Sequence, residues 1–316
     1  MFHGQVSKSI ADGLLALAPR IRAADIPASK LDETLNIATW NIREFGRRNR
    51  SDVAIHYIAE ILGQFDLIGV VELRDNLEDL SRVLKVLGPY WRAVYSDMIP
   101  DPVGNRERIT FVYDRRAVSF GGFAATGVPP RVRKGTEFLP EKSWWRSPYA
   151  ASFKGGSFDF VVIAVHVRWG KSKQKRMEEL ELLATWIDGK RRERFAVDRD
   201  LIVMGDFNIE GDAMLKVVTQ RGLQIPGALL GKNHGSNLAR DRIYDQILHY
   251  SDTPDTFTGA GGVLDFYCGD HTPLFPGKMT KRQFTYELSD HLPLWVQINT
   301  DIDEFRLEQI SKGRSR

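Results

Sequence analysis

The distribution of apolar and polar residues along the chain predicts a mixed α/β fold. Apolar runs rich in β-branched residues, each followed by a polar residue and a turn, predict strands at Leu35–Asn41, Asp66–Leu73, Glu107–Asp114, Phe158–Val167, Asp200–Asp206, Ile243–Tyr250 and His291–Ile298. Apolar residues at helical spacing predict helices at Asp52–Leu62, Asn76–Leu87 and Gln174–Asp188. Helices therefore fall between several of the strands.

The most apolar strands predict that two sheets pack face to face. The runs FVVIAV and LIVM have almost no polar position, so both of their faces are expected to be buried, with helices outside the sheets. A single open parallel sheet is the alternative. Phe111–Phe123 and Tyr149–Val167 argue against it, because each contains two strand-like runs around a short turn, which predicts an antiparallel hairpin.

One large domain accounts for most of the chain. A length of 316 residues is compatible with two domains, but no linker divides the sequence. We expect residues 1–34 to form a helical extension and tether, residues 35–300 the domain, and residues 301–316 a polar C-terminal tail.

Composition excludes several classes of protein. With 42% hydrophobic and 27% charged residues, the chain can bury a sizeable core. The single cysteine, Cys268, rules out an internal disulfide and a zinc site built from several thiolates. No apolar run approaches the roughly 20 residues of a membrane span, and the N-terminal ADGLLALAP is a poor signal peptide. We expect a cytoplasmic monomer that needs neither a membrane nor an obligate protein partner.

The charge is modest overall but clustered. The formal net charge is +3, and basic residues concentrate at Arg47–Arg50, Arg131–Lys134, Lys171–Arg176 and Lys190–Arg194. Each cluster alone is compatible with an ordinary solvated face. Three of them lie close in sequence to the candidate active-site residues, which favours contact with a polyanion.

Polar residues with catalytic potential recur at the ends of the predicted strands. They are Asn41, Glu72, His166, Asp206, Asn208, Asp290 and His291. One such placement needs no explanation, but several in one chain are best explained by convergence on a site at one rim of a sheet.

These residue types indicate metal-assisted hydrolysis of a phosphoester. Carboxylate and amide oxygens suit Mg²⁺, Mn²⁺ or Ca²⁺ better than copper or structural zinc. Two histidines without a serine elbow or a cysteine nucleophile point to proton transfer. No phosphate-binding glycine motif of the nucleotide type is present, so a nucleotide cofactor is not expected.

The order of the motifs resembles a known family. The strings IATWNIREFG, VVELRD, RERITFVYD, WWRSPY, IAVHV, MGDFN, YDQIL and SDHLP, between Leu35 and Asn299, are similar to those of the endonuclease/exonuclease/phosphatase superfamily, and most resemble its deoxyribonuclease I branch. The resemblance implies a four-layer sandwich, in which two mixed sheets are flanked by helices and the site lies on one rim.

The resemblance also implies roles for individual residues. Those that match metal or scissile-phosphate positions are Asn41, Glu72, Asp206, Asn208 and Asp290. His291 matches the general base, oriented by Asp245, and His166 matches the general acid, partnered by Glu107. The expected phosphate contacts are Arg43, Arg74, Arg146 and Asn208, with Asn237 either lining the substrate groove or forming a turn.

Features outside the shared catalytic motifs bear on which phosphodiester is the substrate. The superfamily includes abasic-site nucleases, which generally lack a counterpart of His166, as well as sphingomyelinases and inositol-phosphate phosphatases. No exposed aromatic hairpin for membrane contact is evident from the sequence, and the basic clusters favour nucleic acid over a zwitterionic lipid. We therefore expect a Mg²⁺-dependent endonuclease with little sequence specificity, acting on DNA more readily than RNA. A catalytically silent nucleic-acid-binding module is a further alternative.

One departure from the branch affects the expected substrate. Asn105 and Arg106 stand where deoxyribonuclease I has an aromatic residue before an Arg-Glu pair. Stacking on a sugar in the minor groove is then lost, which puts a preference for duplex DNA in doubt.

Overall fold

The computed structural model describes residues 1–100, 106–140, 142–194, 196–231, 234–250, 253 and 255–313. The helices are α1 (Lys8–Arg22), α2 (Asp52–Leu62), α3 (Glu78–Leu87), α4 (Lys173–Arg191), α5 (Asp212–Thr219), α6 (Lys281–Glu287) and α7 (Asp303–Ser311), with a short 3₁₀ turn at Gly227–Leu229. The strands are β1 (Thr34–Phe45), β2 (Leu67–Leu73), β3 (Trp91–Tyr95), β4 (Ile99–Pro100), β5 (Arg106–Asp114), β6 (Ser119–Thr126), β7 (Arg131–Lys134), β8 (Glu137–Pro140), β9 (Tyr149–Gly155), β10 (Phe158–His166), β11 (Leu201–Asp206), β12 (Asp245–Tyr250), β13 (Phe257–Val263) and β14 (Leu294–Asn299).

Two mixed sheets form the centre of the fold. The seven-stranded sheet has the order β13-β14-β1-β2-β5-β3, with β4 also paired to β5, and the five-stranded sheet has the order β12-β11-β10-β9-β6. Each sheet contains one parallel pair, β1 with β2 and β10 with β11, among antiparallel neighbours. The predicted fold class, two mixed sheets with flanking helices, is confirmed.

Alternation along β10 shows why its sequence is almost uninterruptedly apolar. Its residues in the large core between the sheets are Phe158, Phe160, Val162 and Ala164. Its residues in the second core, beneath α4 and α5, are Val161, Ile163 and Val165. Successive side chains of a strand point to opposite faces, so a strand covered on both sides has no solvent-facing position.

One of the two predicted hairpins is confirmed and the other is wrong. β9 and β10 pair antiparallel across a short turn, with Gly155 opposite Phe158. β5 and β6 belong to different sheets instead, because both edges of β5 are already occupied by β2 and β3. β6 therefore pairs with β9, and the turn at Asp114–Arg116 carries the chain between the sheets.

Local side-chain chemistry explains several element boundaries. α3 begins two residues later than predicted, because the side chain of Asn76 accepts a hydrogen bond from the N–H of Glu78 at 2.8 Å and forms a turn there. Among the elements that were not predicted from the sequence are β3, α5, β13 and α6. A local signal for α6 was present, since Thr280 and Gln283 form a capping box at its N-terminus.

The N-terminal helix is docked on the domain. Leu17 of α1 is fully buried, and the guanidinium of Arg20 donates to the carbonyl oxygens of Phe266, Tyr267 and Asp270, each at 2.8 Å. At the other end of the chain, α7 falls within the predicted polar tail and has no buried residue. Among the described residues, no helix combines the length and the apolar character that a membrane crossing requires.

An exposed two-stranded ribbon was not foreseen. β7 and β8 pair only with each other, and every residue from Arg131 to Pro140 is exposed, including Phe138 and Leu139. No exposed aromatic hairpin for membrane contact was expected; the ribbon is an exposed hairpin, with Phe138 as its one aromatic residue. Its strands are short, and β8 has two adjacent apolar residues and a proline instead of the alternation that predicts a strand.

His249 on β12 generates a prediction about stability in acid. Burial lowers the pKa of its imidazole to about 4, although Asp200 acts in the opposite direction. Its usual pKa is about 6.5, so the unfolded chain takes up the proton first, and stability is lost as the pH falls from about 6.5 towards 4. Between pH 7.5 and pH 5 we expect a loss of about 1 kcal/mol, allowing for partial exposure.

Urea unfolding of the wild type and of His249→Gln at these pH values measures this loss. The variant should lack the pH dependence of stability that His249 causes. The difference in free energy of unfolding between the two proteins should therefore change with pH. Other titrating groups are common to both proteins and cancel. Parallel pH profiles would show that His249 is not held neutral by the fold.

Candidate active site

The predicted catalytic residues meet at one rim of the two sheets. Asn41 and Glu72 lie towards the carboxyl ends of β1 and β2, and His166 and Asp206 lie at the ends of β10 and β11. The residues that line a cleft of about 890 Å³ there include Asn41, Arg43, Glu72, Arg74, Glu107, Arg146, His166, Asp206, Asn208, Asn237, Asp290 and His291. Asp245 lies behind this wall, 1% exposed and opposite Asp206 in the sheet.

Irregular backbone at the rim directs Glu72 and Asn41. The register between β1 and β2 shifts between Asn41 and Phe45, and the register between β2 and β5 shifts between Val70 and Leu73. Glu72 itself has a φ of 65°, and its Oε2 accepts the N–H of Glu44 at 2.8 Å. Such bulges redirect side chains, and a left-handed non-glycine residue is retained only where its surroundings enforce it.

The GDFN segment is equally constrained. A Cβ on Gly205, whose φ is 134°, would lie 2.0 Å from the carbonyl oxygen of Val165, so only glycine fits. Asp206 Oδ1 accepts the N–H of Asn208 at 2.8 Å, and Asn208 Nδ2 donates to the carbonyl of Val167 at 2.8 Å. These bonds hold Asp206 and Asn208 in one orientation.

His166 forms a buried pair with Glu107. The two side chains approach to 2.6 Å between Nδ1 and Oε1, and Arg146 contacts the same oxygen. Burial raises the pKa of Glu107, but His166, Arg146 and Arg74 outweigh burial and lower it. Burial and Arg146 lower the pKa of His166, but Glu107 and Asp206 raise it above its usual value on balance. The pair therefore favours an imidazolium beside a carboxylate.

His291 forms the second pair, with Asp245. Nδ1 of His291 lies 2.7 Å from Oδ2 of Asp245. Burial lowers the pKa of His291, but the carboxylates of Asp245 and Asp206 outweigh burial and raise it. The ring of Tyr244 lies beside the imidazole, with 5.8 Å between centroids.

The Nε2 atoms of both imidazoles lie near one carboxylate oxygen. Nε2 of His166 lies 3.7 Å from Asp206 Oδ2, and Nε2 of His291 lies 3.8 Å from the same atom. Because Nδ1 of each ring is held by its own carboxylate, Nε2 is the atom that each ring presents to the cleft. The two rings thus face a common point above Asp206.

The residues around Asn41 fit a hard metal cation. Asn41 Nδ2 donates to Glu72 Oε1 at 3.0 Å and to Asp206 Oδ2 at 3.1 Å, so one amide bridges two carboxylates. Asn41 Oδ1 is buried and has no hydrogen-bond partner among the described residues. A buried acceptor beside two carboxylates is costly unless a cation or donor compensates it.

A second group of candidate metal ligands also includes Asp206. Ligand atoms of Asp206, Asp245 and His291 lie within 4.8 Å of one another. Asp290, a predicted ligand, is 44% exposed and lies 3.3 Å from Arg43, between Oδ2 and Nη1. The rim thus carries a candidate metal centre of carboxylate, amide and imidazole groups.

The predicted phosphate-binding residues line the cleft but already have partners. Arg74 and Arg146 pack against Glu107, and Arg43 donates to Thr285 Oγ1 at 2.7 Å. Asn237 supports its own turn, since its Oδ1 accepts the N–H groups of Asp241 and Arg242 at 3.1 and 3.0 Å. Phosphate binding by these residues stays a prediction. Asn105 lies outside the described residues.

Several cleft residues were missed by the sequence analysis. Trp169 is 59% exposed on the cleft wall, with its ring edge-on to Tyr244 at 5.5 Å between centroids. Lys281 and Arg282 enter from α6, and recognition of its capping box would have placed them on a helix. For Trp169, which follows a strand in a loop, no periodic signal exists.

Comparison with known proteins identifies the chain at the family level. The profile of the Endonuclease/Exonuclease/phosphatase family matches residues 38–291. The chain belongs to this family. The expected superfamily is thereby confirmed, and with it a hydrolase that acts on phosphoester bonds.

Relatives of this family member include proteins named as deoxyribonucleases. A Deoxyribonuclease of Thioalkalivibrio sp. (strain K90mix) is 27% identical over 294 residues, 86% of this chain and 72% of the relative. Deoxyribonuclease-1 of Homo sapiens is 32% identical over 111 residues, 34% of this chain and 36% of the human protein. Humanized D. rerio TDP2 shares the fold, with a TM-score of 0.58 at 17% identity, over 84% of this chain and 99% of that one.

Ser289 connects two parts of the site, which generates a prediction. It is fully buried, its hydroxyl donates to the carbonyl of Asn41 at 2.6 Å, and its Oγ accepts the N–H groups of Arg43 and His291 at 3.3 and 3.0 Å. Ser289→Ala leaves these groups without a partner, so the free energy of unfolding should fall by about 1–3 kcal/mol.

Urea unfolding of Ser289→Ala measures this loss. Ser9→Ala serves as the control, because Ser9 is exposed and its replacement should change stability by less than about 0.5 kcal/mol. A loss for Ser289→Ala as small as that of the control would mean that the hydroxyl does not hold β1 to the segment before β14.

Proposed function

We propose that this family member is a DNA endonuclease that hydrolyses phosphodiester bonds with the help of a divalent cation. The observation that carries the proposal is the pair of imidazoles, each backed by a buried carboxylate, whose Nε2 atoms lie 3.7 and 3.8 Å from the same oxygen of Asp206. A phosphate bound above Asp206 would lie near both imidazoles, one of which can accept a proton while the other donates one.

The two histidines divide the proton transfers. His291 accepts a proton from water as the water oxygen forms a bond to phosphorus. The bond from phosphorus to the leaving oxygen breaks, and His166 donates its Nε2 proton to that oxygen. The raised pKa of His166, caused by Glu107 and Asp206 against the effects of burial and Arg146, suits the donor role. Each transfer contributes on the order of 10² to 10⁴ in rate.

The proposed metal ligands are Asn41, Glu72 and Asp206, with Asp290 on the exposed side. Their oxygen atoms favour Mg²⁺, with Mn²⁺ or Ca²⁺ as alternatives. When bound, the cation would neutralise charge on the phosphate oxygens and on Asp206, which lowers the pKa of His291 and makes it a better proton acceptor. Asn208 lies beside Asp206 and is proposed to bind the scissile phosphate.

Basic side chains in the cleft support a polyanionic substrate, although an equal number of carboxylates lines the cleft and would need a cation beside a bound phosphate. The basic residues that line it are Arg43, Arg74, Arg146, Lys281 and Arg282. Because this chain is similar to proteins named as deoxyribonucleases, DNA is favoured over RNA as its substrate. Hydrolysis of a lipid phosphodiester is a second candidate, because Phe138 and Leu139 are exposed on the ribbon of β7 and β8.

A substrate panel tests the proposal. Purified protein should degrade plasmid DNA in the presence of Mg²⁺, and EDTA should abolish the activity. Single-stranded DNA, RNA, sphingomyelin vesicles and an inositol phosphate complete the panel. Hydrolysis of sphingomyelin or the inositol phosphate without cleavage of DNA would reject the endonuclease, and retardation of DNA without cleavage would indicate a binding module.

Substitution of the histidines tests the mechanism. His166→Ala and His291→Ala should each lower kcat on DNA by at least about 10², because each removes one proton transfer. The midpoints of urea unfolding show whether the variants remain folded. His56→Gln, on α2 and outside the cleft lining, is the control and should keep its kcat within about twofold. A near-normal kcat for either alanine variant would remove that histidine from acid–base chemistry.

A further inference from the structure

The segment between β6 and β9, residues 127–148, leaves the five-stranded sheet at the catalytic rim. Thr126, the last residue of β6, pairs with Tyr149, and Tyr149 pairs with Ala164, two residues before His166. We call this segment the rim insertion. Arg146, near its end, lines the cleft, so the insertion begins at the active site and carries the ribbon of β7 and β8 away from it.

The base of the rim insertion is fixed to the domain. The N–H of Gly127 donates to the carbonyl of Pro148 at 2.7 Å, which closes the insertion at its neck. The N–H of Trp145 donates to Glu179 of α4 at 2.9 Å. Trp144 packs edge-on against Trp186 of α4, with ring centroids 5.4 Å apart. Held at its base in this way, the insertion presents its exposed ribbon from a defined place on the rim.

The rim insertion carries an excess of positive charge equal to that of the whole chain. Its basic residues are Arg131, Arg133, Lys134, Lys142 and Arg146, and its acidic residues are Glu137 and Glu141. The formal net charge of the whole chain is +3, so the sequence outside the insertion is neutral on balance. A local excess of this kind attracts polyanions even when the whole molecule is nearly neutral.

The ribbon also differs from the other three basic clusters. Each of those includes an arginine occupied within the fold: Arg50 is 5% exposed and donates to a backbone carbonyl, Arg176 is 1% exposed and pairs with Glu210, and Arg192 pairs with Asp188. On the ribbon, Arg131, Arg133 and Lys134 are exposed. No carboxylate of the described residues lies within ion-pair distance of these three cations.

The two faces of the ribbon favour a nucleic acid over a membrane. Arg133 is paired with Phe138 and Arg131 with Pro140 on one face, whereas Val132 with Leu139 and Lys134 with Glu137 occupy the other. The apolar side chains are thus divided between the faces, and the tip, Gly135-Thr136, has no apolar side chain to insert into lipid. A face with two guanidinium groups and an aromatic ring suits phosphates and a base or sugar.

We propose that the ribbon, residues Arg131–Pro140, is a second binding site for the nucleic-acid substrate and contacts its phosphate backbone beyond the catalytic cleft. The proposal rests on the proposed function, because it assumes that the substrate in the cleft is a nucleic acid. A strand of four residues is about 13 Å long, and duplex DNA rises about 3.4 Å per base pair. The ribbon therefore extends the contact with DNA by about four base pairs.

The test replaces the three exposed cations together. Arg131→Ser, Arg133→Ser and Lys134→Ser are combined in one full-length variant, and Lys30→Ser, Lys154→Ser and Lys312→Ser are combined in a charge-matched control. The three control lysines form exposed ion pairs with Glu33, Asp159 and Glu308. Affinity for a fluorescent duplex of about 30 base pairs is measured by anisotropy in EDTA, between about 50 and 200 mM salt.

The ribbon variant should bind the long duplex at least about tenfold more weakly than wild type at low salt. Its slope of log affinity against log salt should be smaller by about 2 to 3, because each lost phosphate contact reduces the slope by about 0.9. For a DNA hairpin with a stem of about six base pairs, which is too short to occupy both the cleft and the ribbon, the affinities of variant and wild type should converge. The control should keep the wild-type slope, and unfolding midpoints verify that both proteins are folded.

Other outcomes overturn the proposal in distinguishable ways. If wild type binds the long duplex and the ribbon variant has the same salt slope, the ribbon is not a contact, while the proposed endonuclease stands. If wild type neither binds nor cleaves DNA, the proposed function fails and the ribbon proposal fails with it. Binding to phosphatidylglycerol vesicles that depends on the ribbon, without an effect on DNA affinity, would assign the ribbon to a membrane surface.

Discussion

The burial of carboxylates at one rim of the two sheets is the constraint on which the rest of the site depends. Asp206 is 2% exposed, Glu107 and Asp245 are each 1% exposed, and buried negative charge must be compensated. Histidines compensate Glu107 and Asp245, and the amide of Asn41 bridges Asp206 to Glu72. Among the described residues Asn41 Oδ1 has no hydrogen-bond partner, and a bound cation would complete the compensation.

The backbone enforces this concentration of charge. Glu72 and Asn208 have positive φ angles of 65° and 51°, and the β1–β2 register is irregular beside Asn41. Gly205 allows β11 to approach β10 more closely than any side chain would permit. Strain of this kind persists because the packed sheets on both sides leave no alternative arrangement. The stability of the sandwich therefore holds the site in a geometry that an isolated strand would not adopt.

Positive charge is found in two settings, buried in the cleft and exposed on the ribbon. Within the cleft, Arg74 and Arg146 are nearly buried and pack against Glu107, so they stabilise its carboxylate, although Arg146 opposes positive charge on His166. On the ribbon the cations are exposed, where solvent and salt screen them. Buried arginines can orient groups at short range, and exposed ones attract a polyanion at longer range. The insertion that carries the exposed group begins on the same rim as the cleft.

The sequence by itself determined the elements with strong local patterns. Alternation and apolar runs located the central strands, and α2 matches its predicted bounds. Polar residues at strand ends identified seven of the twenty residues that line the cleft, because the ends of buried strands meet at the rim. The tertiary structure decided which sheet each strand joins. β6 does not form the predicted hairpin with β5, because β2 and β3 already pair with both edges of β5. The same holds for Trp169 and for the exposure of the ribbon, because neither follows from local periodicity. Only packing brings distant segments to one rim, and only packing decides which charges remain free to meet a ligand.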